Sequence, residues 1–279
     1  MEVDRPTTWL EARSVAVGHG AGPVLSDASL LVAPGTTTAI VGANGSGKST
    51  LLRALAGVAK AQQGHILLEG RPLDSCRPRE VARRVAHLPQ APLVPAGMTV
   101  EELVALGRHP HRRLVGAATA SDSRAVEHAV DATGIGAFRR RQVAELSGGE
   151  RQRVWVAVAL AQEAPVLLLD EPTTFLDIRH QLELLELLAD LANAGRAVLV
   201  VLHDLNQAAA FADQLLVLGR GRVLAQGPPA DVLHSDVISE AFEVDAHVEA
   251  RGSGIVCHFR PLRTESTETT PHIQEHINA

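Results

Sequence analysis

The chain has 279 residues, of which 46% are hydrophobic and 21% charged, with a formal charge of −6 and a pI near 6.1. At about 150 residues per domain this is one large domain or two, with ample chain to bury a core. That composition excludes a disordered chain, a coiled coil, and a protein held on nucleic acid mainly by neutralising phosphates.

The first six residues, Met1-Glu2-Val3-Asp4-Arg5-Pro6, are polar and lack the apolar stretch of a secretion signal. No run of about 18 apolar residues occurs, so no membrane span is expected. Residues 24–41 alternate strand-like stretches around a turn at Pro34-Gly35. The strand over 38–41 runs into Gly42-Ala43-Asn44-Gly45-Ser46-Gly47-Lys48-Ser49, followed by Thr50 and a helical stretch to Ala56. This matches G-x-x-x-x-G-K-[ST] with a strand before it and a helix after. Glycines let backbone N–H groups wrap phosphate oxygens, and the helix N-terminus adds favourable dipole charge. Lys48 is expected to bridge the β- and γ-phosphates, and the Ser49 hydroxyl to ligate Mg²⁺.

A further strand is expected over 65–68. Cys76 and Cys257 stand far apart without CxxC spacing, which reads as reduced thiols in a cytosolic protein. From Thr99 to about Leu160 the periodicity turns helical, broken by Gly and Pro, as in an inserted lobe. Within it Leu146-Ser147-Gly148-Gly149-Glu150 leads a helix over 151–162, with Ser147 as its N-cap. Exposed amides at that helix start form a second anion cradle. Two cradles in one chain suggest two chains sandwiching each nucleotide, each lending its loop to one site and its cap to the other.

The strand 166–169 ends in Asp170-Glu171, at the end where α/β sheets bind ligands. Neighbouring strand side chains point opposite ways, so the two acids have different roles. Asp170 is expected to hold the metal and Glu171 to orient or deprotonate the attacking water. An amphipathic helix over 178–191 follows, with Leu184, Leu187, Leu188 and Leu191 on one face and Glu183, Glu186 and Asp190 outward. A last buried strand is expected over 197–202. Strands alternating with helices point to an α/β core on a mostly parallel sheet. The loop and the acidic strand end together imply a Mg²⁺-dependent nucleotide hydrolase.

From about residue 8 to 260 the chain resembles the ATP-binding subunit of an ABC transporter. Gly42–Ser49 matches the Walker A motif, Leu146–Glu150 the signature, and Val166–Glu171 the Walker B strand with its catalytic glutamate. Thr174-Phe175-Leu176-Asp177 matches the D-loop, Val200–Asp204 carries the switch histidine His203, and Leu88-Pro89-Gln90 supplies the Q-loop glutamine. The resemblance implies a P-loop (RecA-like) core over about 8–90 and 161–262, a helical lobe over about 91–160, and an antiparallel β subdomain on the N-terminal side. The polar stretch 263–279 is expected to be a disordered tail.

The resemblance also implies that Gln90 senses Mg²⁺ and the γ-phosphate and signals to the membrane subunits, and that His203 contacts the γ-phosphate. By the same likeness Asp177 lies at a dimer interface, while Ser147, Gly148 and Gly149 act on ATP held by the other protomer. Partners would be a second copy, transmembrane permease subunits and, indirectly, a substrate-binding protein, with the subunit on the cytoplasmic face of the cell membrane and no nucleic acid bound. Residues 170–188, Leu106-Gly107-Arg108-His109-Pro110-His111 and His203–Ala208 look like the ATPases of ferric-siderophore importers. Heme and cobalamin importers share parts of this wording. A soluble ABC ATPase acting on nucleic acid or ribosomes is the more distant alternative, lacking here a second cassette, a long coiled insertion or a basic balance.

One departure stands out. Where the family stacks adenine on an aromatic ring, commonly tyrosine, this chain has His19, so weaker base discrimination or a lower ATP affinity is expected. Elsewhere plainer readings are preferred. His109 and His111, like His272 and His276, make poor metal sites without further ligands. Arg139-Arg140-Arg141 reads as a solvated face, and Trp155 as core packing.

Overall fold

The computed structural model describes residues 8–18, 20, 22–94, 96–112, 118–251 and 254–262. The first part of the chain gives β1 (Leu10–Val17), β2 (Leu25–Val32), β3 (Thr36–Gly42), α1 (Lys48–Leu55), β4 (Gln63–Leu68), β5 (Arg71–Pro72), α2 (Pro78–Arg84) and β6 (Val85–Leu88). Three helices follow without a strand between them: α3 (Val100–Leu106), α4 (Ala120–Ala132) and α5 (Gly148–Ala161). The chain then alternates through β7 (Val166–Asp170), α6 (Ile178–Asn193), β8 (Ala197–Val201), α7 (Leu205–Phe211) and β9 (Gln214–Gly219). It ends with β10 (Arg222–Gly227), α8 (Pro229–Val232), α9 (Ser235–Phe242), β11 (Asp245–Arg251) and β12 (Gly254–Arg260).

The central sheet has the order β10-β9-β3-β8-β7-β6, parallel except for β10. A separate antiparallel sheet, β2-β1-β4-β5, forms the N-terminal subdomain, and β11-β12 is a hairpin. Every residue of β7 and β8 is buried, as a parallel sheet covered on both faces requires. The strand alternation divides those side chains between two cores. Leu167, Leu169, Val198 and Val200 pack with α3 to α7 on one face. Val166, Leu168, Leu199 and Val201 pack with α1 and the antiparallel sheet on the other.

Capping boxes start the three lobe helices: Thr99 with Glu102, Thr119 with Asp122, and Ser147 with Glu150. The signature helix begins at Gly148, three residues ahead of the sequence expectation, because both glycines are already inside its first turn. In α6 the buried face is Leu184, Leu185, Leu188 and Ala192, while Leu187 and Leu191 sit at its rim. The stripe is rotated because α6 packs against β3 and β8. In the arginine run Arg140 and Arg141 are exposed, as expected, and only Arg139 is half-buried. Arg139 donates to both Glu101 and Glu127, tying α3 to α4, and those carboxylates raise its pKa.

The lobe has one buried polar knot. Arg108, 4% exposed, donates to Asp122 at 3.0 Å, to the Ala161 carbonyl at 2.8 Å and to Glu163 at 2.7 Å. The Thr119 amide and hydroxyl, then Arg108, hold the Asp122 carboxyl down at about 2. Because that value lies below its unfolded 3.8, Asp122 stabilises the fold fully above about pH 4 and loses the contribution as pH falls towards 2. Arg108→Ala leaves Asp122 Oδ1 and the Ala161 carbonyl without this donor, though Thr119 still holds Oδ2, and is expected to cost about 3 kcal/mol. Urea midpoints at pH 7 test this; an unchanged midpoint would show that the knot contributes nothing.

Candidate nucleotide site

The loop between β3 and α1 is shaped by two glycines that no other residue could replace without strain. Gly42 has φ +151°, and a Cβ there would meet the Leu218 carbonyl oxygen at 2.2 Å. Gly47 has φ +100° and caps α1, with a Cβ position 2.8 Å from that of Leu25. The amides of Lys48, Ser49 and Thr50 open the helix and have no intrahelical acceptor. The Ser46 hydroxyl is buried without a partner. This is a concave cradle of donors.

Lys48 is 5% exposed and donates through Nζ to the carbonyls of Gly42 (2.8 Å) and Ala43 (3.0 Å). Burial lowers its pKa, against the pull of Glu171 and Asp170. The Ser49 hydroxyl donates to Asp170 Oδ1 at 3.0 Å across 121 residues of sequence. Burial pushes the Asp170 carboxyl up, opposed by that hydrogen bond. Hard oxygen donors from Ser49 and Asp170, beside a phosphate cradle, are the ligand chemistry Mg²⁺ prefers.

Glu171 follows β7 with φ +53°, an unusual left-handed conformation for a non-glycine residue. It is 6% exposed, and both carboxylate oxygens are held. His203 Nε2 lies 2.7 Å from Oε1, and Gln90 Nε2 donates to Oε2 at 2.5 Å. The ends of β3, β6, β7 and β8 thus meet at one edge of the sheet, where strand order places the crevice.

The other predicted residues form a second cluster. Gly148 and Gly149, which follow Ser147, lie against Phe175, with the Phe175 carbonyl 3.1 Å from a Cβ built on Gly149. Asp177 caps α6, accepting the His180 amide at 3.0 Å, and remains exposed. Among the described residues no hydrogen bond joins this cluster to the Gly42–Ser49 loop. His19 and the 263–279 tail, with His272 and His276, fall outside the described residues.

Sequence reasoning missed the glutamines bracing the turn after Glu171. Buried Gln152 donates to the Pro172 carbonyl at 3.1 Å. Gln181 donates to the carbonyls of Thr173 (3.3 Å) and Leu176 (3.1 Å), and Gln207 donates to Gln181 at 2.7 Å. Only the apolar surroundings of Gln152 on its helix hinted at this. Trp155 does pack on the core, but it also lines a groove of about 390 Å³ with His87, Pro89, Leu93, Val158 and Gln162. His111 accounts for its ring without metal, at 2.8 Å from the Gln162 carbonyl. Among the described residues no group of three or more His, Cys, Asp or Glu could hold a metal ion.

The ABC transporter family profile matches residues 25–174, more than half of the chain. The chain belongs to the ABC transporter ATP-binding family. It is therefore an ABC-type ATPase cassette coupled to transport, in a family that binds ATP. The cassette is 43% identical over 84% of its length to the ferric enterobactin transport ATP-binding protein FepC of Escherichia coli, covering 86% of that protein. It is 39% identical over 86% of its length to the iron(3+)-hydroxamate import ATP-binding protein FhuC of Bacillus subtilis, covering 89% of it. It is also 41% identical over 90% of its length to a cobalamin import ATP-binding protein, BtuD of Halobacterium salinarum, covering 63% of that one. Among solved structures, a metal-chelate type ABC transporter in an inward-facing conformation matches with TM-score 0.77, 27% identity, and 92% and 98% of the two chains covered. The dimeric cassette MJ0796 matches with TM-score 0.72, 26% identity, and 79% and 98% covered. No described helix is long and apolar enough to cross a membrane.

Proposed function

We propose that this cassette hydrolyses Mg·ATP to power a bacterial importer of ferric siderophores, working as a homodimer on the cytoplasmic face of the cell membrane. The observation that carries the hydrolytic reading is the Glu171 carboxylate gripped by Gln90 and His203 beside the Lys48–Ser49–Asp170 group. The siderophore reading is carried by the names of the relatives and is an inference from likeness.

The Gly42–Ser49 amides and Lys48 bind the phosphate chain, with the glycines allowing close backbone approach. Ser49 and Asp170 would hold Mg²⁺, joined by Gln90; the metal, when bound, offsets phosphate charge as it develops. Glu171 accepts a proton from the attacking water once His203 and Gln90 turn towards the γ-phosphate. The exposed cap Ser147-Gly148-Gly149, set apart from the phosphate loop of its own chain, supplies donors to ATP on the partner protomer, and Asp177 lines that contact.

The groove beside Gln90 suits a permease segment. Leu93 on its rim is 91% exposed, and Pro89 and Ala91 on either side of Gln90 line it, so an occupant can shift Gln90 against Glu171. Burial, then Arg53, holds the His87 imidazole down to about 4, which keeps this wall neutral at physiological pH.

The reading is tested by uptake of labelled ferric siderophore, heme and cobalamin in cells whose only copy carries Lys48→Ala. Selective loss of siderophore uptake is expected. Selective loss of cobalamin uptake would favour the second reading, prompted by the cobalamin relative. Unchanged uptake of all three would overturn the importer assignment while leaving the ATPase standing.

A further inference from the structure

Next to the groove lies a cluster of arginines that nucleotide chemistry does not use. Arg79 and Arg83 sit one turn apart on α2, so their side chains share a face. Both donate through Nε to a single acceptor, the Pro110 carbonyl, each at 2.9 Å. The remaining guanidinium N–H groups of both have no partner among the described residues. Arg77, which precedes α2, is exposed, and its side chain makes no hydrogen bond or ion pair among the described residues. Arg112, two residues beyond Pro110, has a buried Nε without a partner among the described residues.

Two of the three neighbouring acids are already engaged, and only Asp74, exposed, has no ion pair among the described residues. Glu80 is paired with Arg71 at 2.7 Å and Glu69 with Arg84 at 3.2 Å. Two guanidiniums on one oxygen, with Arg77 two residues before Arg79 and Arg112 two residues after Pro110, outnumber the one unpaired acid nearby, Asp74, in a chain whose net charge is −6. Planar guanidinium forks match phosphate oxygens better than ammonium groups do.

We propose that Arg77, Arg79, Arg83 and Arg112 form a contact for anionic phospholipid headgroups, flanking the permease groove. The membrane-facing orientation of this patch rests on the docking reading above, since α2 leads directly into β6 and the groove residue His87. Cytoplasmic loops of membrane proteins carry an excess of Lys and Arg, so they would repel this patch. The cytoplasmic leaflet, negatively charged, attracts it. The lipid contact would hold the subunit at the surface and limit its orientation before and during docking.

The test is co-sedimentation of the full chain with vesicles of phosphatidylcholine alone or mixed with phosphatidylglycerol, without permease or nucleotide. Binding is expected only with phosphatidylglycerol and should fall as salt rises. Each arginine removed should weaken it about fivefold, so Arg79→Gln/Arg83→Gln should lose about 25-fold. Those two residues also hold Pro110, so the pair Arg79→Lys/Arg83→Lys, which keeps the charge but not the fork, should bind more weakly than the native chain and more tightly than the glutamine pair. Arg77→Gln/Arg112→Gln, which breaks no hydrogen bond of the described residues, should weaken binding comparably with ATPase activity unchanged.

Equal binding to both vesicle types, or undiminished binding by both glutamine pairs, would overturn the proposal. Displacement by inorganic phosphate at constant ionic strength would point instead to a soluble phosphate ligand and overturn it too. Failure on vesicles with loss of permease co-purification in the glutamine variants would make the partner a protein segment. Because the assay contains no permease, its failure leaves the uptake result to be judged separately.

Discussion

Glu171→Gln is expected to lower ATP turnover by about 10²–10⁴-fold while ATP still binds. That range corresponds to about 3–5 kcal/mol of transition-state stabilisation. The substitution is close to isosteric, and its amide keeps hydrogen-bonding capacity towards His203 and Gln90, which hold the native carboxylate at 2.7 and 2.5 Å. On the proposed mechanism, what it removes is the acceptor for a proton from water. If the second cradle of each chain closes on its partner's nucleotide, as proposed, then with hydrolysis blocked the variant should run as an ATP-bound dimer on a sizing column. A variant that stays monomeric at saturating ATP would refute the two-chain sandwich, and one that turns over at the native rate would remove Glu171 from the chemistry.

The second large effect is steric. Gly42→Ala would drive a methyl group to 2.2 Å from the Leu218 carbonyl oxygen and 3.0 Å from Ser46 Oγ, at φ +151°. Leu218 is its register partner on β9, so the oxygen belongs to the sheet and cannot swing aside. Overpacking of about 1–3 kcal/mol adds to backbone strain of about 1–3 kcal/mol, giving an expected loss of about 2–6 kcal/mol. The phosphate loop starts at this residue, so ATP affinity should fall as well. Gly45→Ala is the comparison, because nothing lies within 4 Å of its Cβ position although φ is +80°. It should cost only about 1–2 kcal/mol of backbone strain. Urea midpoints and equilibrium binding of ATP measure both; equal losses in the two variants would show that the clash with β9 does not govern this position.

The sequence by itself determined the elements whose cause is local. The strand–glycine loop–helix unit around Lys48, the N-cap at Ser147 and the apolar strand ending at Asp170 each arise from contacts within a few residues of chain. The family wording carried the pairing of motifs further, because likeness preserves long-range relations that periodicity cannot. Only the tertiary structure decided which oxygen of Glu171 meets Gln90, 81 residues earlier, and which meets His203. It alone tied Arg108 to Asp122 and Glu163, rotated the buried stripe of α6 to include Leu185 and Ala192, and gathered Arg79 and Arg83 onto Pro110. A helix's repeat says that it has an apolar side, but the neighbour it meets determines where that side is centred. The same holds for charge: whether an arginine is a solvated end or half of a buried pair depends on the groups packing brings to it from distant parts of the chain.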